Sequence, residues 1–399
     1  MDLPLLLTAV EREEDDTALE LLYDATADDL AGDDAVALLA AAARAGRQRI
    51  VDHLVVRDVD VTRPWGGGVD PVTWAAENGR YLVLQALLSR SRDPLSSDSP
   101  HRRALRIAQE ALASGVGATS EPPPAHRAVI TDLEAELGFH RSPDELMARA
   151  LVHADPDHDD WFASVFHLGC RTGRETFDWA MEAAQDASDI DRRRFGLDTM
   201  VHLAIAFSLD ADQEYDAELP FAREAEDFLS PLLHSEQDPR TLALAIAAFT
   251  SYSSGDTVAA ILPHAHHPDP RVRAVVSTFL HTNTATAKHE EALAALMHLT
   301  DDSTPTIRTN ALSRLATSSL DTPELRAVLA AHLADPHFDA RLEAAAGLAL
   351  RDDERGPAAL NRIRSGIKNM NSPGWGRLSD IHHLLRLRAE AVETTAPDR

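Results

Sequence analysis

The stretch DPVTWAAENGRYLVLQALLSR, residues 70–90, carries the pattern that decides the fold. A shift of the chain against itself by thirty-three residues places Ala75 and Gly79 of this stretch on Ala42 and Gly46. Small side chains let two helices approach closely, and a glycine just after a helix ends it. The spacing predicts a helical hairpin that repeats along the chain. Such hairpins bury their apolar face only by stacking on their neighbours.

Length and composition predict helices throughout the chain. With 399 residues, the chain is too long for one compact core of ordinary size, which favours several domains or one elongated array. Alanine and leucine dominate, aromatic residues make up 5%, and alternating runs of β-branched residues are missing. We therefore predict an all-α fold, an elongated α-solenoid.

The opening stretch resembles an ankyrin repeat. Pro71 and Val72 occupy the Pro-Leu positions of that family's pattern, whereas Asp70 stands where threonine is usual. The resemblance is strongest over residues 34–90 and extends, with degenerate end units, over residues 1–117. It implies a binding surface formed by stacked helical hairpins.

A second period begins past residue 160. Arg240, Arg273, Arg308 and Arg341 recur at intervals of 33, 35 and 33 residues, each after a turn that contains Asp and Pro. This region resembles bacterial HEAT-repeat proteins of uncertain activity. The resemblance implies that an Asp in the turn and an Arg in the second helix bond between neighbouring units. The Asp positions are Asp238, Asp269, Asp302 and Asp335.

Composition shifts divide the chain into segments. Three consecutive prolines at 122–124 block a helix and indicate a connector, and an acidic stretch at 208–228 breaks the second period as an insertion would. We predict ankyrin-like repeats at 1–117, a proline-bearing connector and helix at 118–141, HEAT-like repeats at 142–390 and a tail at 391–399.

The formal net charge of −27 restricts the class of partner. An acidic surface repels phosphate backbones and anionic headgroups and attracts cationic proteins, so nucleic-acid and membrane binding are disfavoured. The lone Cys170 cannot form an internal disulfide, which fits a reducing compartment. Neither a signal peptide nor a long apolar span is found in the sequence. We expect a cytoplasmic protein.

Residues 355–388 depart from this balance, with seven basic residues, one acid (Asp380) and a local charge of +6. The segment either pairs with the acidic repeats of its own chain or presents an anion-binding patch. We favour the intramolecular pairing, because opposite charges are abundant nearby.

Motifs that would indicate chemistry are weak or incomplete. His264, His266, His267 and Asp269 fit no established metal-ligand spacing. The acidic run at 153–161 has Asp160 where a calcium loop requires glycine, so we interpret it as a solvated turn. Zinc-protease, nucleotide-binding and serine-nucleophile motifs are absent from the sequence. We predict no metal and no cofactor.

These observations predict a non-enzymatic scaffold that binds a partner protein or peptide through concave faces. One specific version is an immunity or self-resistance protein that captures a basic toxin or nuclease, since charge complementarity speeds association. The candidate partner-binding residues are aromatic residues and arginines, the commonest interface anchors. They are Trp65, Trp74, Arg80, Tyr81, Arg193, Arg362, Arg364 and Arg377.

Two alternatives remain open at this point. One is an enzyme, such as a HEAT-like DNA-processing enzyme of the alkylbase glycosylase type or a lyase, with its site around Trp161, Asp191 and Arg193. The other is an assembly scaffold whose two arrays hold different partners.

Overall fold

The computed structural model confirms an all-α repeat solenoid. Twenty-three α-helices, two short 3-10 helices and no strand occur in the described residues. Pro122, residues 210–217 of the acidic stretch and residues 396–399 of the predicted tail lie outside the described residues. The structure describes residues 2–65, 68–91, 94–117, 123–209, 218–253, 255, 257–282, 289–372 and 374–395, with the side chains of 289 and 389–395 left aside.

The chain forms two compact units, residues 1–206 and residues 207–399. The predicted boundaries at 117 and 141 lie within the first unit, and the predicted division into segments stays a prediction. None of the helices in the described part of the chain is long and apolar enough to cross a membrane.

The first unit consists of short helices joined by tight turns. In chain order they are α1 (Leu3–Glu11), α2 (Asp15–Leu22), α3 (Ala27–Ala31), α4 (Asp33–Arg44), α5 (Gln48–Val56), α6 (Pro71–Glu77), α7 (Tyr81–Leu88), α8 (Pro100–Ala113), α9 (His126–Glu136), α10 (Pro143–Ala150), α11 (Asp159–Gly169), α12 (Arg174–Gln185) and α13 (Ile190–Ser208), whose last two residues belong to the second unit.

The second unit continues in the same way. Its helices are α14 (Ala222–Ser235), α15 (Pro239–Tyr252), α16 (Val258–Ile261), α17 (Pro270–Phe279), α18 (His289–Leu299), α19 (Pro305–Thr317), α20 (Pro323–Ala331), α21 (Phe338–Ala349), α22 (Arg355–Gly366) and α23 (Trp375–Thr395), with 3-10 helices at Leu262–His264 and His332–Ala334.

Many helices begin with a polar cap followed by proline. Proline suits the first helical position because its missing N–H would have no partner there. The side chains of Asp70 and Ser99 accept hydrogen bonds from backbone N–H groups of the first turn of α6 and α8. Ser142 and Glu145, three residues apart in the sequence, form a reciprocal capping box at the start of α10.

Bonds between residues about one period apart join successive hairpins of the first unit. Arg47 donates to Asp15 at 2.6 Å across 32 residues. Arg103 donates to Asp70 at 3.3 Å across 33 residues. These separations match the sequence period, so the bonds connect equivalent turns of neighbouring hairpins.

A continuous apolar core extends through the first unit from Leu6 to Ala163, and α9 packs against α8 within it. The chain before α9 is fixed to an earlier turn, because Ala125 N donates to Gly79 O at 3.0 Å. Gly79 has a φ of +58°, and a Cβ there would lie 2.8 Å from Pro124 Cβ. Both its backbone conformation and this close approach require glycine.

Arg351 closes the ends of two helices in the second unit. Its buried guanidinium donates to Leu315 O and Ser318 O at 2.8 Å, and to Ala316 O at 3.1 Å, at the C-terminus of α19. It also donates to Gly347 O in α21 at 2.8 Å. A cation at a helix C-terminus satisfies unpaired carbonyls and complements the helix dipole, so Arg351 ties α19 to α21.

Two glycines of α22 give a matched test of this packing. A Cβ at Gly356 would lie 2.2 Å from Ala349 N, whereas no neighbouring atom in the described part of the chain lies within 4 Å of a Cβ at Gly366. We expect Gly356→Ala to destabilise the protein by about 1–3 kcal/mol through overpacking against α21. Gly366→Ala should be neutral or slightly stabilising. Urea unfolding of the full chain measures both, and equal effects would contradict this account of the α21–α22 contact.

Candidate functional site

The arginines of the second period bond forward from one repeat to the next. Arg273 Nε donates to Asp302 Oδ2 at 2.6 Å, across 29 residues. Its Nη1 donates to His267 O at 2.9 Å and Pro268 O at 2.8 Å in the turn before its own helix. One guanidinium therefore fixes its own turn and holds the next one.

The same arrangement recurs one repeat later. Arg308 donates to both carboxylate oxygens of Asp335 at 2.9 Å and to Asp302 O and Ser303 O of its own turn. Hydrogen bonds from Arg308 lower the pKa of Asp335 to about 2. The predicted Asp–Arg bonding between neighbouring units is confirmed at these two steps. Arg273 and Arg308 use their guanidinium groups to join successive repeats. They are therefore not free to bind phosphate groups of a nucleic acid.

Three basic residues of the C-terminal segment pair with their own chain. Arg377 donates to both oxygens of Glu343, at 2.5 and 2.7 Å. Arg355 pairs with Asp353 at 2.6 Å, and Arg388 pairs with Asp352 at 2.8 Å. For these three, the structure bears out the intramolecular interpretation. Arg377, a predicted partner-binding residue, is already held by a buried carboxylate.

An open groove of about 610 Å³ lies between α22 and α23. Trp375, with 41% of its surface exposed, and the leucines line its apolar part, and no ion pair to Arg364 or Arg386 occurs among the described side chains. Arg362, also on α22, is exposed but does not line the groove. The groove combines an exposed aromatic ring with positive charge. Its lining residues are Arg364, Trp375, Leu378, Ser379, His382, Leu385 and Arg386.

Two of the candidate anchors of the first unit, Trp65 and Tyr81, are buried. Trp65 is 5% exposed, packs against Trp74 with ring centroids 5.5 Å apart, and has the guanidinium of Arg44 over its ring at 5.2 Å. Tyr81 is 2% exposed and accepts a hydrogen bond from Gln85. Arg80 is exposed and Trp74 is half-buried. This burial argues against Trp65 and Tyr81 as direct partner contacts, while Arg80 and Trp74 stay predicted contacts.

The residues suggested for the enzymatic alternative are buried or half-buried, and Trp161 and Asp191 bond to other side chains of the chain. Trp161 is fully buried, and its Nε1 donates to Asp198 at 2.7 Å. Asp191 pairs with Arg194 at 2.9 Å, and Arg193 is half-buried. A fully buried indole has no free face on which a nucleobase could stack.

The structure reveals a polar network that the sequence analysis missed. His167 Nε2 lies 2.8 Å from Asp132 Oδ1, and Gln85 Nε2 donates to that oxygen at 3.3 Å. His101 Nε2 lies 3.0 Å from Glu136 Oε2. The signal available in the sequence was the alternation of acids along the otherwise apolar α9. These contacts join α7, α8, α9 and α11.

Burial and the neighbouring Asp132 raise the pKa of Glu136 to about 7. Burial lowers the pKa of His101. Because the two partners lie 3.0 Å apart, the His101–Glu136 pair can hold a single proton near neutral pH.

The histidine cluster at 264–269 does not gather its ligand atoms among the described residues. His267 Nδ1 accepts a hydrogen bond from Asp269 N at 3.1 Å, and the ring of His266 packs against His298 with centroids 4.8 Å apart. For the acidic run at 153–161, the sequence predicts a solvated turn. His158 of this run caps α11, but the side chain of Asp160 is fully buried, so that interpretation is wrong for Asp160.

Comparison with known proteins places one segment of the chain. Residues 226–316, from α14 to α19, match the family model for HEAT repeats. No curated protein matches the chain. The likeness to HEAT repeats agrees with the Asp–Arg bonding in this region, and the ankyrin resemblance of residues 1–117 stays a prediction.

The repeat-to-repeat bonds predict a large asymmetry between two arginines. Arg308→Ala leaves the carboxylate of Asp335 buried without its guanidinium, and we expect a loss of about 3 kcal/mol in the free energy of unfolding. Arg271→Ala removes only an exposed pair with Asp269 and should cost less than about 0.5 kcal/mol. Chemical unfolding of both variants tests this expectation. Similar losses would show that the buried pair does not hold the repeats together.

Proposed function

We propose that the protein is a non-enzymatic repeat scaffold that binds a partner protein or peptide. The single observation that carries this proposal is the groove between α22 and α23, which combines an exposed Trp375 with Arg364 and Arg386 at its margin. Tryptophan and arginine are the side chains most often found at binding hot spots. The likeness of residues 226–316 to HEAT repeats supports the same class of function.

The side chains that line the groove indicate what kind of peptide it would bind. Trp375 and Leu385 offer an apolar contact, and the two arginines favour carboxylates, which accept paired hydrogen bonds from a guanidinium. The preferred ligand is therefore a peptide whose apolar or aromatic side chain is flanked by Asp or Glu. An open groove suits an extended or helical peptide better than an enclosed small molecule.

A second, basic partner is proposed for the acidic surface of the first unit. Leu5 of α1, Leu21 of α2 and Tyr23, which follows α2, expose their side chains, and exposed acids occur on and between the two helices. This composition, with the net charge of −27, suits a cationic protein. An immunity or self-resistance protein against a basic toxin or nuclease is one such function.

The enzymatic alternative gains no support from the described residues. Trp161 is fully buried, and Asp191, although partly exposed, is already paired with Arg194. We therefore do not favour a glycosylase or lyase activity.

Selection of a displayed library of random 16-residue peptides on the full chain tests the groove. We expect enrichment of peptides with acids beside Leu, Phe or Trp. Trp375→Ala or Arg364→Glu should weaken binding of the selected peptides by about tenfold or more, as at other hot spots. Arg362→Glu is the matched control, because it makes the same charge change on α22 outside the groove. Selected peptides without acids, or equal binding by all variants, would refute the proposal.

Capture from lysate at about 50 mM and about 300 mM salt tests the basic partner. We expect the captured proteins to carry net positive charge and to associate more slowly at high salt, because added ions screen the attraction between opposite charges. Reversing three exposed acids at the ends of α1 and α2, Glu11, Glu14 and Asp24, should reduce capture more than reversing three exposed acids of α12, Glu175, Asp178 and Glu182. Acidic captured proteins, or capture that is indifferent to salt, would refute this second proposal.

A further inference from the structure

Two histidines and an aspartate converge between α10 and α11. His153 lies in the turn after α10, His158 is the N-cap of α11, and Asp160 is the second residue of α11. His153 Nε2 lies 3.5 Å from Asp160 Oδ2, and His158 Nδ1 lies 3.8 Å from the same oxygen. All three candidate ligand atoms lie within 4.8 Å of one another. The imidazole rings stack with centroids 4.1 Å apart.

Asp160 is the unusual member of this group. Its side chain is 0% exposed, and its Oδ1 accepts a hydrogen bond from Ala128 N at 2.7 Å, near the start of α9. Its Oδ2 is buried and accepts no hydrogen bond from any of the described residues. A buried carboxylate oxygen without a hydrogen-bond donor is costly, so its position beside two imidazoles favours a ligand that supplies positive charge.

We propose that His153, His158 and Asp160 bind a divalent transition-metal ion of the zinc class. Two imidazole nitrogens and one carboxylate oxygen are a donor set that zinc accepts, with a fourth position left for water. A tetrahedral zinc ion with bonds of about 2.0–2.1 Å holds its ligand atoms about 3.3–3.4 Å apart. The two separations from Asp160 Oδ2, 3.5 and 3.8 Å, are close to this value, and the two imidazole nitrogens lie within 4.8 Å of each other.

Neighbouring backbone groups hold the three candidate ligands in place, and metal binding must replace one of their hydrogen bonds. The bond from Ala128 N holds the carboxylate of Asp160, the kind of outer-shell contact that orients metal ligands. His158 Nδ1 accepts the N–H of Asp160 at 3.1 Å, and the ion takes over that lone pair. Asp155 and Asp159 add negative charge near the histidines, and Arg127 opposes it.

The donor set distinguishes this site from a calcium loop. Calcium takes six to eight oxygen ligands, whereas two of the three ligands here are imidazoles. The bound ion connects the turn after α10 to the start of α9 through Asp160 and Ala128. Its role is to stabilise the first unit, and it is independent of the groove in the second unit.

Cobalt titration of the chelator-treated full chain tests the site. We expect one equivalent of Co²⁺ to bind, with the visible absorption of a four-coordinate ion, and to be displaced by zinc. His153→Ala and Asp160→Asn should each weaken binding by about 100-fold or more, beyond the effect of losing an outer-shell contact. Asp160→Asn keeps an oxygen acceptor for Ala128 N, and His153 is partly exposed, so both variants are designed to fold.

His267→Ala is the control, because it alters the histidine cluster of the second unit. It should leave the cobalt spectrum and affinity unchanged. Zinc should raise the thermal unfolding midpoint of the wild type and of His267→Ala but not that of His153→Ala. The proposal is overturned if the wild type binds no cobalt. Binding that persists in both His153→Ala and Asp160→Asn, or that is lost in His267→Ala, overturns it equally.

Discussion

The apolar face that each helical hairpin leaves uncovered is the constraint on which the structure depends. Only the next hairpin can cover it, so side chains at the contact must be small and the turns must stay in register. Ala75 and Ala76 are fully buried, and Gly79 admits the chain before α9. Bonds across about one period, such as Arg47–Asp15, then hold equivalent turns together.

Arginine side chains make polar contacts between stacked helical hairpins. Arg273 and Arg308 fix one turn and hold the next, and Arg351 closes two helix ends through carbonyl groups alone. A guanidinium suits these positions because it stays charged and offers several donors in a plane. Arginines that make these internal hydrogen bonds are not free to bind a partner. Arg364 lines the groove instead, which makes it a better candidate for contact with a partner.

Three buried or nearly buried carboxylates distinguish the interior of the first unit from an ordinary helical core. Glu134 is paired with Arg141 and Arg149, and Asp132 meets His167. In Asp160, only one of the two carboxylate oxygens is satisfied by the chain itself. Buried charge is retained only when it is compensated. Asp160 differs from the other two carboxylates because its second oxygen faces the imidazoles of His153 and His158, and the proposed metal site rests on this difference.

The sequence by itself determined the helices, their period, the capping box at Ser142 and the Asp–Arg bonds of the second unit, because these depend on local spacing or on a repeated turn. Tertiary structure alone decided that Trp65 and Tyr81 face the core and that Asp160 turns inward to meet α9. The way in which hairpins stack decides which side chains about 30 residues apart in the chain come into contact. A periodic pattern fixes which residues are apolar, but it does not fix which polar side chains meet.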